Sequence, residues 1–419
     1  MKAEASKSNI RGKVKAPSSK SAVQRYIACA LLAEGTSTLS VVSMCDDSLA
    51  ALSVAEALGA VVSRTEEMIT IQGGFSPVSN EINCGESGLS ARMFIPVASL
   101  HNREITITGR GSLLKRPFAM VVKPLEHLGV TVTTRNGFLP VTVRGSLKGG
   151  DVQADGSMSS QFITGLLTAL PAAEKDSRVF VENLVSRPYI DLTINILKEF
   201  GIEVYNDNYR VFGIKGGDRF KAGNFTAEGD WSGAAFLLVM GALAGPVEVS
   251  GLSLQSVQAD KAVIDALVMA GASVETGGGK VTVAGGRLKA FEFDITDCPD
   301  LAPPLSVLAM ACNGRTVLRG TERLTVKESN RADTISNALN KIGGRIVNHG
   351  SYMEIEGGFP IKGGGAGAFN DHRIAMALAT SSLISESPII IDGFECINKS
   401  YPGFTEDFRK LGGEIRMIK

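Results

Sequence analysis

A phrase of roughly 70 residues recurs six times along this chain, and it constrains the fold more than any other feature. In each copy an apolar helical segment is followed by a glycine and then by a segment rich in β-forming residues. The leading glycines are Gly59, Gly129, Gly201, Gly271, Gly343 and Gly412, at intervals of 70, 72, 70, 72 and 69 residues. Self-similarity at such a regular period indicates a repeat architecture.

Each copy has the pattern of a small helix-and-sheet unit. Apolar residues at helical spacing precede each leading glycine, for example Ile190, Ile194 and Leu197 before Gly201. The glycine is expected to stop the helix, and two β-rich runs around a polar turn then predict a hairpin. Another helix opens each copy, and a short strand separates the two helices. The predicted opening helices are 18–33, 85–100, 159–173, 229–245, 299–312 and 370–384.

The repeat predicts an α/β fold of α+β repeats, each ordered helix, strand, helix, strand, strand. The last copy is one strand short, because the chain stops at Lys419. Residues 5–16 are β-compatible, and we expect this N-terminal strand to complete the last repeat. Three repeats per domain predict one lobe from 18–226 and another from 1–17 plus 227–419. Two chain crossings of this kind usually flank a cleft that opens and closes, and we expect the active site there.

The charge composition argues against a polyanionic macromolecular partner. The sequence has 43 Lys and Arg residues against 43 Asp and Glu residues, so it lacks the net positive charge that attracts nucleic acid or anionic membrane. It also lacks a long apolar run and the apolar stretch of a signal peptide. The six cysteines lack C-x-x-C spacing and are interpreted as buried thiols in a reducing compartment. We predict a cytoplasmic monomer that binds neither nucleic acid nor membrane.

Basic and hydroxylated side chains gather at the predicted helix starts. Serine, asparagine and aspartate there are ordinary N-cap residues, whereas a cation in a first turn opposes the helix dipole and is favoured where an anion binds. Each cation alone can equally be a solvated surface charge. Together they predict a small, multiply anionic substrate, with Asp300 and Glu328 as candidate acid/base groups. The basic residues in question are Lys20, Arg25, Arg92, Lys115, Arg116, Arg187, Lys327, Arg331, His372, Arg373 and Lys399.

Three of these basic groups are expected to begin second helices. Arg116 and Arg187 each stand before a proline suited to a first helical turn. Lys327 and Glu328 are expected one helical turn from Arg331 on a shared face. The chain has no Walker-type, dinucleotide, H-E-x-x-H or G-x-S-x-G motif, so kinase, dehydrogenase, zincin and α/β-hydrolase interpretations lose their usual support.

Nine segments together resemble the enolpyruvyltransferase family, and within it the 3-phosphoshikimate 1-carboxyvinyltransferases, or EPSP synthases. They are PSSKSAVQR (17–25), GESGLSAR (85–92), KRP (115–117), DGSMSSQF (155–162), SRPYIDLT (186–193), PDLAP (299–303), VKESNR (326–331), NDHRIAMA (370–377) and NKSYPGF (398–404). The resemblance implies two lobes of three helix-and-sheet units, described as an inside-out α/β barrel.

The resemblance also implies an activity. It is the transfer of the carboxyvinyl group of phosphoenolpyruvate to the 5-hydroxyl of shikimate 3-phosphate, by addition and elimination through a tetrahedral intermediate. The products are 5-enolpyruvylshikimate 3-phosphate and inorganic phosphate, on the route to chorismate and the aromatic amino acids. Neither a metal nor an organic cofactor is implied.

Roles for individual residues follow from the same resemblance. It implies that Asp300 accepts the proton of the attacking hydroxyl, that Glu328 protonates the vinyl methylene carbon, and that Lys20 shuttles a proton or stabilises the departing phosphate. The residues implied to bind phosphoenolpyruvate are Lys20, Gly88, Arg116, Gln161, Arg331, Arg373 and Lys399. Those implied to bind shikimate 3-phosphate are Lys20, Ser21, Arg25, Ser159, Ser160, Ser186, Tyr189, Asp300 and Lys327.

Two places depart from the family pattern. The loop usually written G-N-[AS]-G-T reads Gly85-Glu86-Ser87-Gly88-Leu89, so an amide becomes a carboxylate and a hydroxyl becomes an aliphatic side chain. A negative charge near a trianionic substrate is costly unless it is turned away. Arg323 stands where the family commonly has an asparagine that touches shikimate 3-phosphate.

Two alternatives remain. The sister transferase that acts on UDP-N-acetylglucosamine shares the architecture and phosphoenolpyruvate. It normally carries Lys-Asn at the first helix, where this chain has Lys20-Ser21, and it often has a reactive cysteine in a mobile loop, whereas no cysteine stands near Arg116. A non-catalytic repeat scaffold would have ordinary surface residues at its helix starts.

Overall fold

The structure is a computed structural model that describes residues 1–418, apart from the side chain of Val326. The α-helices are α1 (Lys20–Leu32), α2 (Asp46–Ala57), α3 (Gly88–Ala98), α4 (Val122–His127), α5 (Gln161–Ala169), α6 (Arg187–Glu199), α7 (Trp231–Ala244), α8 (Val263–Met269), α9 (Ala302–Ala311), α10 (Arg331–Lys341), α11 (His372–Ser381) and α12 (Phe404–Lys410). Short 3₁₀ helices lie at Gly111–Lys115, Ala119–Val121, Leu170–Ala172, Ala259–Ala262, Pro299–Leu301, Thr321–Val326, Ser382–Ile384 and Phe394–Lys399.

The strands are short and numerous. They are β1 (Lys2–Ser6), β2 (Gly12–Lys15), β3 (Ala33–Glu34), β4 (Thr36–Ser40), β5 (Val61–Arg64), β6 (Met68–Gln72), β7 (Glu81–Asn83), β8 (Ile105–Thr108), β9 (Thr131–Arg135), β10 (Phe138–Arg144), β11 (Asp151–Asp155), β12 (Ser177–Glu182), β13 (Val204–Asp207), β14 (Val211–Ile214), β15 (Phe220–Lys221), β16 (Asn224–Thr226), β17 (Val247–Ser250), β18 (Ser273–Gly277), β19 (Lys280–Ala284), β20 (Glu292–Asp294), β21 (Gly314–Arg319), β22 (Ile346–Asn348), β23 (Tyr352–Gly357), β24 (Gly364–Gly367), β25 (Ile389–Asp392) and β26 (Glu414–Ile418).

The predicted repeat unit is confirmed in its order of helices and strands. In the third repeat, for example, α5, β12, α6, β13 and β14 follow one another along the chain. Each of the six leading glycines lies just past the end of a second helix, with φ between +79° and +110°. A side chain is strained in this left-handed region, so glycine is the residue that ends these helices at least cost.

Each repeat carries a four-stranded sheet with one parallel and two antiparallel pairs. In the third repeat the parallel pair aligns Asp151 of β11 with Arg178 of β12, and β14 and β13 continue the sheet antiparallel. The strand orders are β16-β4-β6-β5, β7-β8-β10-β9, β11-β12-β14-β13, β2-β17-β19-β18, β20-β21-β23-β22 and β24-β25-β1-β26, with a separate pair of β3 and β15. Among residues 1–418 these sheets stay separate, and none closes into a barrel.

The missing strand of the last sheet is supplied by the N-terminus. β1 lies between β25 and β26, antiparallel to both, with Ala5 opposite Ile389 on one side and Ile415 on the other. The single strand expected over 5–16 is in fact two strands, because β2 leaves this sheet and pairs in parallel with β17 of the fourth repeat.

The chain divides into two compact units. The terminal unit consists of residues 1–17 and 228–419, and the central unit consists of residues 18–227. Within each unit the opening helices are buried on nearly every side, as in α3, where all eleven residues are buried. In the central unit α3 packs against α1 and α5, and in the terminal unit α7, α9 and α11 pack pairwise. Helices that are apolar all round belong in an interior, so only their ends can present functional side chains.

Two predicted helix starts are wrong. Arg116 and Pro117 follow the 3₁₀ helix Gly111–Lys115, and α4 begins only at Val122. Arg116 has an extended backbone because the proline ring disfavours helical geometry in the preceding residue. Lys327 and Glu328 likewise precede α10 rather than lying in it.

Candidate active site

In the central unit, Lys20 begins α1 and forms an ion pair with Asp47 in the first turn of α2. The Nζ atom lies 2.9 Å from Oδ2, and the two side chains are only 16% and 11% exposed. A cation at the first position of a helix opposes its dipole, and the Asp47 carboxylate offsets part of that cost. The sequence did not identify Asp47 as a site residue, because acidic residues are common in the first turn of a helix.

Arg25 is buried one turn further along α1, with acceptors from three helices around its guanidinium. Nε donates to Thr193 Oγ1 at 2.8 Å and Nη1 to the Ser21 carbonyl at 2.7 Å. Nη2 donates to Thr164 Oγ1 at 3.2 Å and to the Tyr189 carbonyl at 3.1 Å. Burial lowers the pKa of Arg25 to about 10, so the guanidinium stays charged at neutral pH. These bonds bring the predicted residues Ser21, Arg25 and Tyr189 together.

Three predicted serines lie at the starts of α5 and α6. Ser159 accepts the N–H of Gln161 through its hydroxyl at 3.2 Å, and Ser160 is buried directly before α5. Ser186 precedes α6 with a φ of +55°, a left-handed conformation that costs roughly 1 kcal/mol in a residue other than glycine. The three serines therefore stand where helix N–H groups attract anions.

A second cluster in the central unit surrounds the start of α3. Arg92 donates from Nη1 to Gln161 Oε1 at 2.8 Å and from Nη2 to the Pro117 carbonyl at 3.1 Å. Arg116 is buried and lies so close over Gly88 that a Cβ on this glycine would overlap Nη1. The structure thus brings Gly88, Arg116 and Gln161 together. It adds Arg92, which the sequence marked only as a cation near a helix start.

In the terminal unit, three carboxylates surround the fully buried guanidinium of Arg331. Asp371 accepts from Nε at 2.9 Å and from Nη2 at 3.2 Å, so this pair is bidentate. Asp300 Oδ1 accepts from Nη1 at 2.6 Å, and Glu328 accepts from Nη2. Burial disfavours the charged guanidinium, but the three carboxylates outweigh it and raise the pKa of Arg331.

Asp300 stands between three cations. Besides Arg331, Arg373 donates from Nη2 to Oδ2 at 3.0 Å, and Lys327 Nζ lies 3.6 Å from Oδ1. Burial raises the pKa of Asp300, but Arg373, Lys327 and Arg331 together hold it well below its usual value. Asp300 is therefore an ionised carboxylate at neutral pH, able to accept a proton and held in one orientation.

The pKa values of two of these cations depend on burial and on the neighbouring carboxylate. Burial lowers the pKa of the Lys327 ammonium, although the Asp300 carboxylate opposes that change. Burial would also lower the pKa of Arg373, but the Asp300 carboxylate raises it. Asp300, Glu328 and Asp371 thus lie against the three cations of this cluster.

Lys399 lies beside the start of α11. Its buried Nζ donates to the carbonyl of Asn370 at 2.8 Å, and the next residue, Asp371, caps α11 by accepting the N–H of Arg373 at 3.0 Å. Asp371 was missed at the level of sequence, because an aspartate before a helix is an ordinary N-cap. Its second carboxylate bond, to Arg331, depends on the packing of α10 against α11.

Arg323 is placed by a different contact. Its Nη1 donates to the carbonyl of Thr296 at 2.6 Å, within the terminal unit.

All six cysteines are buried free thiols, as predicted. Among residues 1–418, no three His, Cys, Asp or Glu side chains are arranged to hold a metal ion. Within the same span, no helix has both the length and the apolar character needed to cross a membrane.

Known proteins similar to this chain cover it almost end to end. The family profile of EPSP synthase (3-phosphoshikimate 1-carboxyvinyltransferase) matches residues 5–408. The 3-phosphoshikimate 1-carboxyvinyltransferase of Clostridium kluyveri is 38% identical over 409 residues, covering 97% of this chain and 96% of that protein. The protein of the same name from Clostridium perfringens strain 13 is 37% identical, covering 98% of both chains.

Solved structures agree on the fold. EPSP synthase from Acinetobacter baumannii superposes with a TM-score of 0.84 at 28% identity, covering 99% of this chain and all of that one. The enolpyruvyl transferase NikO from Streptomyces tendae shares the fold, with a TM-score of 0.80 at 16% identity over 99% of this chain and 98% of its own. By its sequence, its repeats and these neighbours, the chain belongs to the EPSP synthase (3-phosphoshikimate 1-carboxyvinyltransferase) family.

Proposed function

We propose that this chain is a transferase that moves the enolpyruvyl group of phosphoenolpyruvate to the 5-hydroxyl of shikimate 3-phosphate. The products are 5-enolpyruvylshikimate 3-phosphate and inorganic phosphate. The observation that carries the proposal is Asp300, an ionised carboxylate held between Arg331, Arg373 and Lys327 in a chain of this family. Relatives that match over nearly their whole length bear the name of this activity.

Phosphoenolpyruvate is held, in this proposal, mainly by cations. Its proposed ligands in the central unit are Lys20, Gly88, Arg116 and Gln161, and those in the terminal unit are Arg331, Arg373 and Lys399. The buried or nearly buried state of Arg116, Arg331 and Arg373 supports this role, because little solvent screens their charges. The contact between Arg116 and Gly88 supports it too, since a backbone without a side chain lets an anion approach closely.

Shikimate 3-phosphate is proposed to contact the starts of α1, α5 and α6 and the Asp300 cluster. Its proposed ligands are Lys20, Ser21, Arg25, Ser159, Ser160, Ser186, Tyr189, Asp300 and Lys327. Hydroxyl groups and N–H groups at helix starts suit a phosphate monoester, and Lys20 and Lys327 add compact positive charge.

The chemistry proposed for the acids is addition followed by elimination. Asp300 accepts the proton of the 5-hydroxyl group while the hydroxyl oxygen bonds to C2 of phosphoenolpyruvate. Glu328 donates a proton to C3, and a tetrahedral intermediate forms. Elimination then returns a proton from C3 to the Glu328 carboxylate and breaks the bond between C2 and the phosphate oxygen, so that inorganic phosphate departs. Lys20 stabilises the negative charge that develops on the departing phosphate.

The reaction belongs to the shikimate pathway, which leads to the aromatic amino acids. A reducing cytoplasmic setting is part of the proposal, and the six buried free thiols support it. The monomeric state stays a prediction.

The test is a phosphate-release assay with the purified full-length chain, phosphoenolpyruvate and one of two acceptors, without added metal. Release with shikimate 3-phosphate, together with a product of the mass of 5-enolpyruvylshikimate 3-phosphate, is the expected result. Release only with UDP-N-acetylglucosamine would assign the chain to the sister reaction. Release with neither acceptor would refute the transferase proposal and favour a scaffold.

A further inference from the structure

Glu86 stands in the loop before α3, two residues from Gly88, where a carboxylate would repel an anionic substrate held by Arg116. The structure shows its carboxylate engaged with a neighbouring segment of the central unit. Oε2 accepts the backbone N–H of Ser112 at 3.0 Å and the Ser112 hydroxyl, also at 3.0 Å. The charge is thus committed to donors of the protein itself.

Ser112 belongs to the 3₁₀ helix Gly111–Lys115, whose next residue is Arg116. Gly111 has a φ of +56°, and a Cβ at this position would overlap the Glu86 carboxyl group. The helix therefore lies directly against Glu86, and the backbone N–H of Ser112 points at the carboxylate.

The segment is fastened at its start to the loop that precedes α3 and at its far end to α3 itself. At its start, the N–H of Arg110 donates to the Gly85 carbonyl at 2.8 Å. Its far end is held by Arg92, which donates to the Pro117 carbonyl at 3.1 Å. Between these two points, Glu86 accepts the two hydrogen bonds from Ser112. A change there would leave the ends in place and loosen the turn that delivers Arg116.

We propose that Glu86 is a positioning residue that holds the segment Gly111–Arg116, and so places the Arg116 guanidinium over Gly88 for phosphoenolpyruvate. The inference rests on the proposed role of Arg116 as a ligand of phosphoenolpyruvate. Glu86 itself does not touch the substrate. Its negative charge therefore favours the binding of an anion indirectly, because it orders the backbone segment that carries Arg116.

The opposite hypothesis makes a prediction of opposite sign. If the Glu86 carboxylate faced the substrate, removing its charge would relieve repulsion and lower the KM for phosphoenolpyruvate. If it orders the Arg116 segment, the same change raises that KM. A charge-assisted hydrogen bond to a backbone N–H is strong enough for a rise of about tenfold.

The experiment compares E86A, E86Q and S112A with a control, E81A. Glu81 accepts a hydrogen bond from Thr108 Oγ1 at 3.0 Å on the neighbouring strands, so E81A removes an exposed carboxylate contact away from Arg116. We expect the KM for phosphoenolpyruvate to rise about tenfold in E86A. We expect a smaller rise in E86Q, which keeps an acceptor oxygen, and in S112A, which keeps the backbone N–H. The KM for shikimate 3-phosphate and the melting temperature should match those of E81A.

A second measurement does not depend on turnover. Amide hydrogen exchange of residues 111–116 should be faster in E86A than in the wild-type chain and in E81A, with exchange elsewhere unchanged. An unchanged or lower KM for phosphoenolpyruvate in E86A, or unchanged exchange over 111–116, would overturn the proposal. If the wild-type chain turned over neither acceptor, the proposed function would fail, while the exchange arm and calorimetry with phosphoenolpyruvate would still decide the role of Glu86.

Discussion

The guanidinium of Arg331 binds both carboxylate oxygens of Asp371, from Nε at 2.9 Å and from Nη2 at 3.2 Å, and neither side chain has any solvent exposure. Asp371 also accepts the Ser329 hydroxyl at 3.0 Å and caps α11. One carboxylate thus links α10, α11 and the segment that carries Glu328. The proposed catalytic cluster of the terminal unit is built around this pair.

Replacing Asp371 by asparagine should strongly destabilise the terminal unit. The variant keeps a capping oxygen but leaves the Arg331 charge short of one buried partner, a change that typically costs about 3–5 kcal/mol. The check is the free energy of unfolding from chemical denaturation. The control is D392N, which breaks an exposed pair with Lys2 at 3.1 Å and should cost about 1 kcal/mol or less. Equal losses in the two variants would show that the buried pair is not what holds the cluster.

Alanine in place of Gly88 should impair the use of phosphoenolpyruvate without unfolding the protein. Its Cβ would overlap Arg116 Nη1, and the long arginine side chain can move away at little cost to stability. We expect the KM for phosphoenolpyruvate to rise by about tenfold or more, the equivalent of about 1.4 kcal/mol, from steady-state kinetics. The control is G213A, where the nearest atom to a new Cβ would be Tyr205 Cβ at an ordinary 3.4 Å. Wild-type kinetics in G88A would refute the proposed role of Arg116 as a ligand of phosphoenolpyruvate.

Replacing Glu328 by glutamine should slow turnover while leaving substrate binding largely intact. The amide oxygen of the new side chain would still accept a hydrogen bond from Arg331, but the amide could not donate a proton to C3 of phosphoenolpyruvate. Loss of a general acid typically lowers kcat by about 10²–10⁴-fold. Single-turnover kinetics would separate this effect from binding. The exposed Glu322 of the preceding 3₁₀ helix supplies the control, E322Q, and a kcat for E328Q equal to that of E322Q would refute the role of Glu328.

Asp300 should contribute to the loss of folding stability at acid pH. Its folded-state pKa lies well below the usual value, so ionised Asp300 stabilises the folded state above the unfolded pKa of about 4, and that contribution is lost as the pH falls below it. In D300N this share of the pH dependence is absent. The free energy of unfolding, measured from pH 6 to pH 2, should therefore fall less steeply below about pH 4 in D300N than in the wild-type chain. Identical slopes would show that Asp300 is not held ionised by its three cations.

Local signals were enough to predict the repeat units. The glycine after each second helix has a positive φ in all six copies, a requirement that shows in the sequence as a glycine every 69 to 72 residues. The missing strand could be inferred by counting, because a sheet one strand short needs a partner. The extents of the two N-terminal strands could not, since β2 is chosen by its neighbour β17, a partner more than 200 residues away.

The candidate site was only partly visible in the sequence. Cations at helix starts pointed to an anion, and the family resemblance assigned roles to them. The sequence did not distinguish Asp47 and Asp371 from ordinary first-turn and capping residues, because each acquires its cation from a different helix. Arg116 was expected to begin a helix, but the following proline keeps its backbone extended.

The sequence by itself determined the repeat, the order of elements within it and the family to which the chain belongs, because these depend on periodicity and on short motifs. Only the tertiary structure decided which charges meet. Three carboxylates surround Arg331, three cations surround Asp300, and Glu86 accepts hydrogen bonds from Ser112. The sequence alone allows many other pairings. The physical reason is that burial removes water as a partner, so each charge must find its counterpart among the groups that packing brings within hydrogen-bonding distance.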